Sequence, residues 1–205
     1  MLRIAEPVPT YVAWTDLMGG GNLMRQSLVV LAEAIGALTE ACIEATRDIA
    51  VELHPLNDGV FAVSQDRGAI LRYLTRTLGI LATTVVAAAD QNEVRLVRAT
   101  LAYGDALTIS CALPTHTSSV LLGGPKSEAF HSEDDAAPFG VLVHSSAIAA
   151  GVPDAWRWYV DTPTELVIAL GRYFAWARAT NAYPEDRIEV HERRANDYFR
   201  ISTPG

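Results

Sequence analysis

Two acidic residues carry the chemical interest of this chain. Asp16 closes the run Tyr11-Val-Ala-Trp-Thr-Asp16, whose aromatic and β-branched side chains read as a buried strand. Leu-Met-Gly19-Gly-Gly21 follows and cannot continue a strand, but it lets backbone approach closely. Asp58 stands in a similar setting, Leu56-Asn-Asp58-Gly-Val-Phe61, where Asp-Gly marks a tight hairpin. Two carboxylates meeting at neighbouring strand ends repel one another unless a cation lies between them. Magnesium and manganese take such oxygen ligands and complete their shell with water and phosphate oxygens. The expected chemistry is therefore phosphoryl chemistry at a two-metal site. The plain structural alternative is that Asp16 caps a helix and Asp58 only turns the chain.

The elements that must bring these residues together follow from periodicity. After the first strand, Asn22 is placed to cap a helix running from about 23 to 47, with Met24, Leu28, Leu31, Ile35, Leu38 and Cys42 as one apolar stripe. Residues 49–53 and 60–64 read as two strands joined by a turn over 54–59, with Glu52 and His54 on one face and Val51 and Leu53 on the other. A second helix is expected over 67–89, then a strand over 94–103. The order β–α–β–β–α–β is the split βαβ, ferredoxin-like arrangement of the α+β class. It puts the first strand beside the hairpin, so Asp16 and Asp58 become neighbours in space.

The remainder is additions to that core. Residues 108–122 carry no firm assignment, and Gly123-Gly-Pro-Lys-Ser127 turns into a short helix. A strand at 139–144 and a short helix at 145–151 follow. A helix at 164–178 is expected to have Thr162 as cap and Pro163 at its first position, and a strand at 187–191 precedes a charged tail. Trp156, Trp158 and Tyr159 crowd together, as a packed surface such as a dimer contact or as a satellite core. No repeat, low-complexity segment or linker is visible, so residues 1–205 read as one domain.

Composition narrows the partners. Half of the 205 residues are hydrophobic, enough for a substantial core, and the formal net charge is −8. No basic run offsets that charge, so nucleic acid is not an expected partner, whereas a small polyanion remains one if metal supplies positive charge. Cys42 and Cys111 lack partners at metal-ligand spacing and read as small core residues. The N-terminus has no apolar signal core, and Leu78 to Ala89 falls short of the roughly 20 residues of a membrane span. No membrane partner and a cytoplasmic location are the expectation. A P-loop, a dinucleotide fingerprint and a nucleophile elbow are all absent from the sequence.

The stretch Tyr11 to Gly19 resembles the strand end that carries the first metal aspartate of class III nucleotide cyclases. Leu56-Asn-Asp58-Gly-Val-Phe61 resembles their second metal aspartate, and Arg98-Ala-Thr-Leu-Ala-Tyr-Gly104 the strand that follows it. Gly123 to Glu128 stands where those enzymes begin a glycine-rich helix, and the resemblance spans about residues 10–145. Within that class the chain is most similar to the compact, single-domain bacterial pyrimidine cyclases of anti-phage signalling, a family of similar size that carries no sensor domain. That resemblance implies a homodimer with composite active sites and two Mn²⁺ or Mg²⁺ per site, held by Asp16, Asp58 and the backbone carbonyl of Leu17. It implies a ribonucleoside triphosphate substrate, UTP before CTP, converted to its 3′,5′-cyclic monophosphate and pyrophosphate.

The sequence departs from the purine enzymes where they read the base. Glu52 and His54 occupy the first base-reading region and are the substrate-binding candidates, while Val120 and Leu121 occupy the second and offer no polar side chain. A purine edge left unpaired there costs about 1–3 kcal/mol per lost partner. The family's transition-state Asn and Arg have no obvious counterpart, since His131 and Ser132 stand near the expected Arg. Arg98 and Lys126 are the candidate catalytic cations in their place. A purine cyclase, a catalytically inactive cyclase-like module and another ferredoxin-like phosphoryl-transfer enzyme remain the alternatives.

Overall fold

Along the first long strand, Tyr11, Ala13, Thr15 and Leu17 alternate with Val12, Trp14 and Asp16, and nearly all are buried. A strand buried on both faces needs a layer on each side, and a computed structural model shows both layers; it describes residues 2–113 and 116–200. The elements are β1 (Leu2–Ile4), β2 (Val8–Leu17), α1 (Gly20–Gln26), α2 (Leu28–Ala45), β3 (Glu52–Leu56), β4 (Gly59–Ser64), α3 (Arg67–Ala87), β5 (Val97–Leu113) and β6 (His116–Gly123). They continue with α4 (Gly124–His131), β7 (Val141–Val143), α5 (Ser145–Ala149), α6 (Thr164–Thr180) and α7 (Glu185–Arg200).

The seven strands form one sheet in the order β1-β5-β2-β4-β3, with β6 and β7 also paired to β5. The central four strands, β5-β2-β4-β3, are antiparallel and have the order expected of the ferredoxin-like core. Strand β5 runs past the end of β2, and its far half, together with β6, fills the stretch that carried no assignment.

On one face, Tyr11, Ala13 and Leu17 pack with Leu38 and Cys42 of α2 and with Ile70, Leu74 and Leu78 of α3. Helix α3 is long and apolar enough to cross a membrane by length and composition, yet half of that window is buried here, as befits a core helix. On the other face Val12, Trp14, Phe61, Val63 and Ala102 pack under Leu121 and Ala129, and α4 is tied down by the Thr100 hydroxyl, which donates to Ala129 O at 2.7 Å. Cys42 is buried and unpaired, and burial pushes its thiol up to about 11. Cys111 lies on β5, and its side chain is outside the described residues.

Four local expectations are corrected. The helix expected over 23–47 is two helices, because Ser27 adopts extended backbone (φ −162°) and caps α2 by accepting from Val30 N; Gly19, not Asn22, precedes α1. His54 lies inside β3 rather than in a turn, since the hairpin closes with only Asn57 and Asp58 between Leu56 and Gly59. Helix α6 begins at Thr164 after Pro163, without a side-chain cap from Thr162. Residues 187–191 belong to helix α7, not to a strand: Ile188, Ala195, Tyr198 and Phe199 are its buried residues and recur at helical spacing. Of the aromatic group Trp158 is buried, its indole donating to Phe139 O at 2.7 Å, while Trp156 and Tyr159 are half-buried against the core and Tyr159 stacks on Phe199.

Candidate active site

Cross-strand register explains why Asp16 and Asp58 meet. Asp16 faces Gly59 on β4 and Arg98 on β5, so the β3–β4 turn lies beside the end of β2. The Leu17 N–H donates to Asp58 O at 3.1 Å and fixes turn to strand. Both carboxylates line one cleft of about 610 Å³, whose walls also include Gly20, Arg25, Glu133, Tyr183 and Arg187. Leu17 lends only backbone to that wall, its side chain being buried on the helical face.

A Cβ at Gly20 would collide with Asp58 Oδ2, so the absence of a side chain in the glycine run makes room for the second carboxylate. Gly20→Ala is expected to turn Asp58 aside and to weaken the proposed divalent-cation binding by roughly 10-fold or more. The fold should persist, because the neighbour that moves is the end of a side chain. Metal titration together with a thermal melt checks both halves.

Arg98 is the hub of the cleft as it stands. Its Nε donates to Asp16 Oδ2 at 3.0 Å, Nη2 to Glu133 Oε1 at 3.1 Å and Nη1 to Asp134 Oδ1 at 3.0 Å. The Arg98, Asp16 and Glu133 side chains are 11%, 9% and 19% exposed, but Asp134 is 89% exposed, so the first two contacts matter most energetically. The Trp14 indole donates to the other oxygen of Glu133. Burial is the main cause that pushes the Asp16 carboxyl up to about 7; Glu133 and, less strongly, Asp58 add to it, and Arg98 opposes it.

The donors suit a hard divalent cation. Asp16 and Asp58 present only oxygen, and Gly20 leaves the space that Asp58 occupies. Among the described residues no three His, Cys, Asp or Glu side chains are grouped to hold an ion, so a shell here needs backbone, water or phosphate oxygens as well.

Glu52, His54 and Lys126 lie elsewhere on the same sheet face. Register places His54 beside Phe61 and Phe61 beside Trp14, one row away from Asp16, and Glu52 a further row along. Lys126 Nζ sits 5.5 Å from the Phe61 ring centroid. The Trp14 and Phe61 rings, tilted against each other with centroids 4.3 Å apart, stand between the His54 row and the carboxylates. His54 is buried, which pushes its imidazole below the ordinary value; Glu52 opposes that shift and Lys126 reinforces it. Glu52 Oε1 is 3.3 Å from His54 Nε2 without making a hydrogen bond, while Ser119 Oγ is 3.4 Å from Nδ1. Leu121 packs in the core, and Val120 is exposed and apolar.

Solved structures share this fold. A bacterial light-regulated adenylyl cyclase superposes with TM-score 0.61 at 14% identity over 73% of this chain and 47% of its own. The guanylyl cyclase Cya2 gives TM-score 0.59 at 9% identity, over 74% of this chain and 82% of its own. The adenylyl cyclase CyaB from P. aeruginosa gives 0.56 at 10% identity, over 73% and 81%. The chain has the nucleotide cyclase fold. It spans less than half of the light-regulated enzymes, 41% in a second example. No protein-family model matches the sequence, and no curated protein matches it either.

Within this cyclase fold, sequence reasoning missed Glu133, Arg25, Tyr183 and Arg187 as cleft residues. The acidic run Glu133-Asp-Asp135 was visible, but nothing local ties it to Asp16. Arg187 and Tyr183 reach the cleft only through the packing of α6 and α7.

Proposed function

We propose that the protein is a nucleotidyl cyclase acting on a pyrimidine ribonucleoside triphosphate, UTP first and CTP second. The observation that carries the reading is one cleft holding Asp16, Asp58 and three arginines at the strand ends of a cyclase fold. The 3′-hydroxyl attacks the α-phosphate, a new P–O bond forms, and the bond to the β-phosphate breaks to release pyrophosphate. Asp16, Asp58 and the Leu17 carbonyl would hold Mn²⁺ or Mg²⁺, which supplies charge for the phosphates and lowers the pKa of the attacking hydroxyl. The chain's own contribution is positioning and fixed charge, which dominate phosphoryl transfer.

Glu52 and His54 remain the residues proposed to read the base, and Lys126 a candidate phosphate contact. Trp14 and Phe61 lie between them and Asp16 within one chain, an arrangement that suits a composite site, and the homodimer is proposed on the resemblance. The pyrimidine preference rests on Val120 and Leu121, neither of which can pair with a purine edge. A second messenger role in anti-phage defence rests on the resemblance alone. The purine alternative is supported by the adenylyl and guanylyl cyclases that share the fold, and the inactive-module alternative by the hold of three carboxylates on Arg98.

Incubation with each of the four triphosphates and Mn²⁺, with products identified by mass, decides among these. Cyclic UMP as the main product is expected, with cyclic CMP second. A purine cyclic product would leave the cyclase reading standing and remove the pyrimidine one. No cyclic product from any of the four would remove both.

A further inference from the structure

Three guanidinium groups line the cleft, and they differ in how their charge is already used. Arg98 is shared among three carboxylates. Arg25 makes one hydrogen bond, from Nη2 to the neutral Asn22 Oδ1 at 2.8 Å. Arg187 makes neither a side-chain hydrogen bond nor an ion pair among the described residues. In a chain of net charge −8, an arginine without a carboxylate partner, beside a cleft that holds three carboxylates, is an uncommitted cation.

Its position is built rather than incidental. The segment before α7 is seated on the glycine run. A Cβ at Gly19 would lie 3.1 Å from the Tyr183 hydroxyl, a tight contact, and Gly19 itself has φ +80°, where a side chain is strained. Asn22 Nδ2 donates to Ala182 O at 3.4 Å. One helical turn into α7, the buried Ile188 anchors the helix next to Arg187. Farther along, Arg194 donates to Asp134 O and pairs with Asp135 at 3.1 Å, which ties α7 to the acidic turn that also binds Arg98. The C-terminal helix is thus fastened to the cleft on both sides of Arg187.

We infer that Arg187 binds the polyphosphate of the substrate from the C-terminal helix. The inference deepens the triphosphate reading of this cleft and rests on it. The ligand class is a magnesium-bound tripolyphosphate chain, whose oxygens accept the planar fork of donors that an arginine presents and a lysine does not.

The test uses the full chain and inorganic tripolyphosphate with Mg²⁺, followed by calorimetric titration. Arg187→Ala is expected to weaken binding by about 10-fold or more, to raise KM for the nucleotide in step, and to leave the melting temperature unchanged, since the side chain is exposed. Arg187→Lys should recover only part of the loss. Tripolyphosphate binding by Arg187→Ala at wild-type strength overturns the inference, whether or not the protein cyclises nucleotides. No tripolyphosphate binding by the wild-type chain overturns it as well. Binding that depends on Arg187 in a protein that makes no cyclic product sustains the inference and removes the cyclase reading alone.

Discussion

Asp16→Asn is expected to make the metal-free protein more stable at pH 8 and to cut the proposed nucleotide cyclisation by roughly 10²-fold or more. Both effects have one origin. The folded protein holds the Asp16 carboxyl at about 7, against 3.8 for an ordinary aspartate, so folding favours the protonated form. The stability linked to this group is fully present below about pH 4 and is lost as pH rises through 7. Above that, the folded chain bears the whole cost of a buried anion beside Glu133 and Asp58, only partly offset by Arg98. A displacement of about three units corresponds to about 4 kcal/mol at most. Asparagine is a weaker acceptor for Arg98 than a carboxylate, so a gain on the order of 2 kcal/mol is expected at pH 8 and almost none at pH 4. Urea denaturation in chelator at the two pH values measures it. A variant less stable than the parent at pH 8 would show that the Arg98 contact outweighs the burial of charge.

Removing the other partner should act in the opposite direction. Arg98→Ala leaves Asp16 and Glu133, 9% and 19% exposed, without their common cation, and breaking a buried pair in this way costs about 3–5 kcal/mol. The loss should shrink as pH falls below about 7, where Asp16 takes up a proton instead. In the double variant Asp16→Asn, Arg98→Ala, the penalty should fall short of the sum by about 1–3 kcal/mol, the coupling typical of groups in contact. Denaturation midpoints of the four proteins give the cycle, and strict additivity would refute direct coupling. The same geometry bears on Arg98 as a candidate phosphate contact: a phosphate reaching it must compete with three carboxylates.

The outline of the site was legible because it depends on short-range signals. Alternation from Tyr11 to Leu17 marks a strand, Asn57-Asp58-Gly59 marks a tight turn, and the βαββαβ order makes them adjacent without any side-chain detail. What was not legible depends on distant chain. The break at Ser27 interrupts an apolar stripe that is otherwise continuous, so only the extended backbone of Ser27 reveals it. In α7, Ile188-Glu-Val190-His alternates like a strand over four residues, and the helical period emerges only when Ala195, Tyr198 and Phe199 are included. With that helix misread, Arg187 had no route to the cleft. Glu133 was hidden for a different reason: its partners Trp14 and Arg98 come from two strands far away in sequence.

Trp14 gives the cleft an optical reporter of its own. Of four tryptophans in the chain, it is the one whose indole lines the cleft among the described residues. Its ring is buried against Phe61 while its N–H reaches Glu133. Any rearrangement of the Glu133, Arg98 and Asp16 set on ligand entry changes the polarity around that indole. A change in intrinsic fluorescence on ligand entry that is lost in Trp14→Phe is therefore expected, without a label and before any turnover.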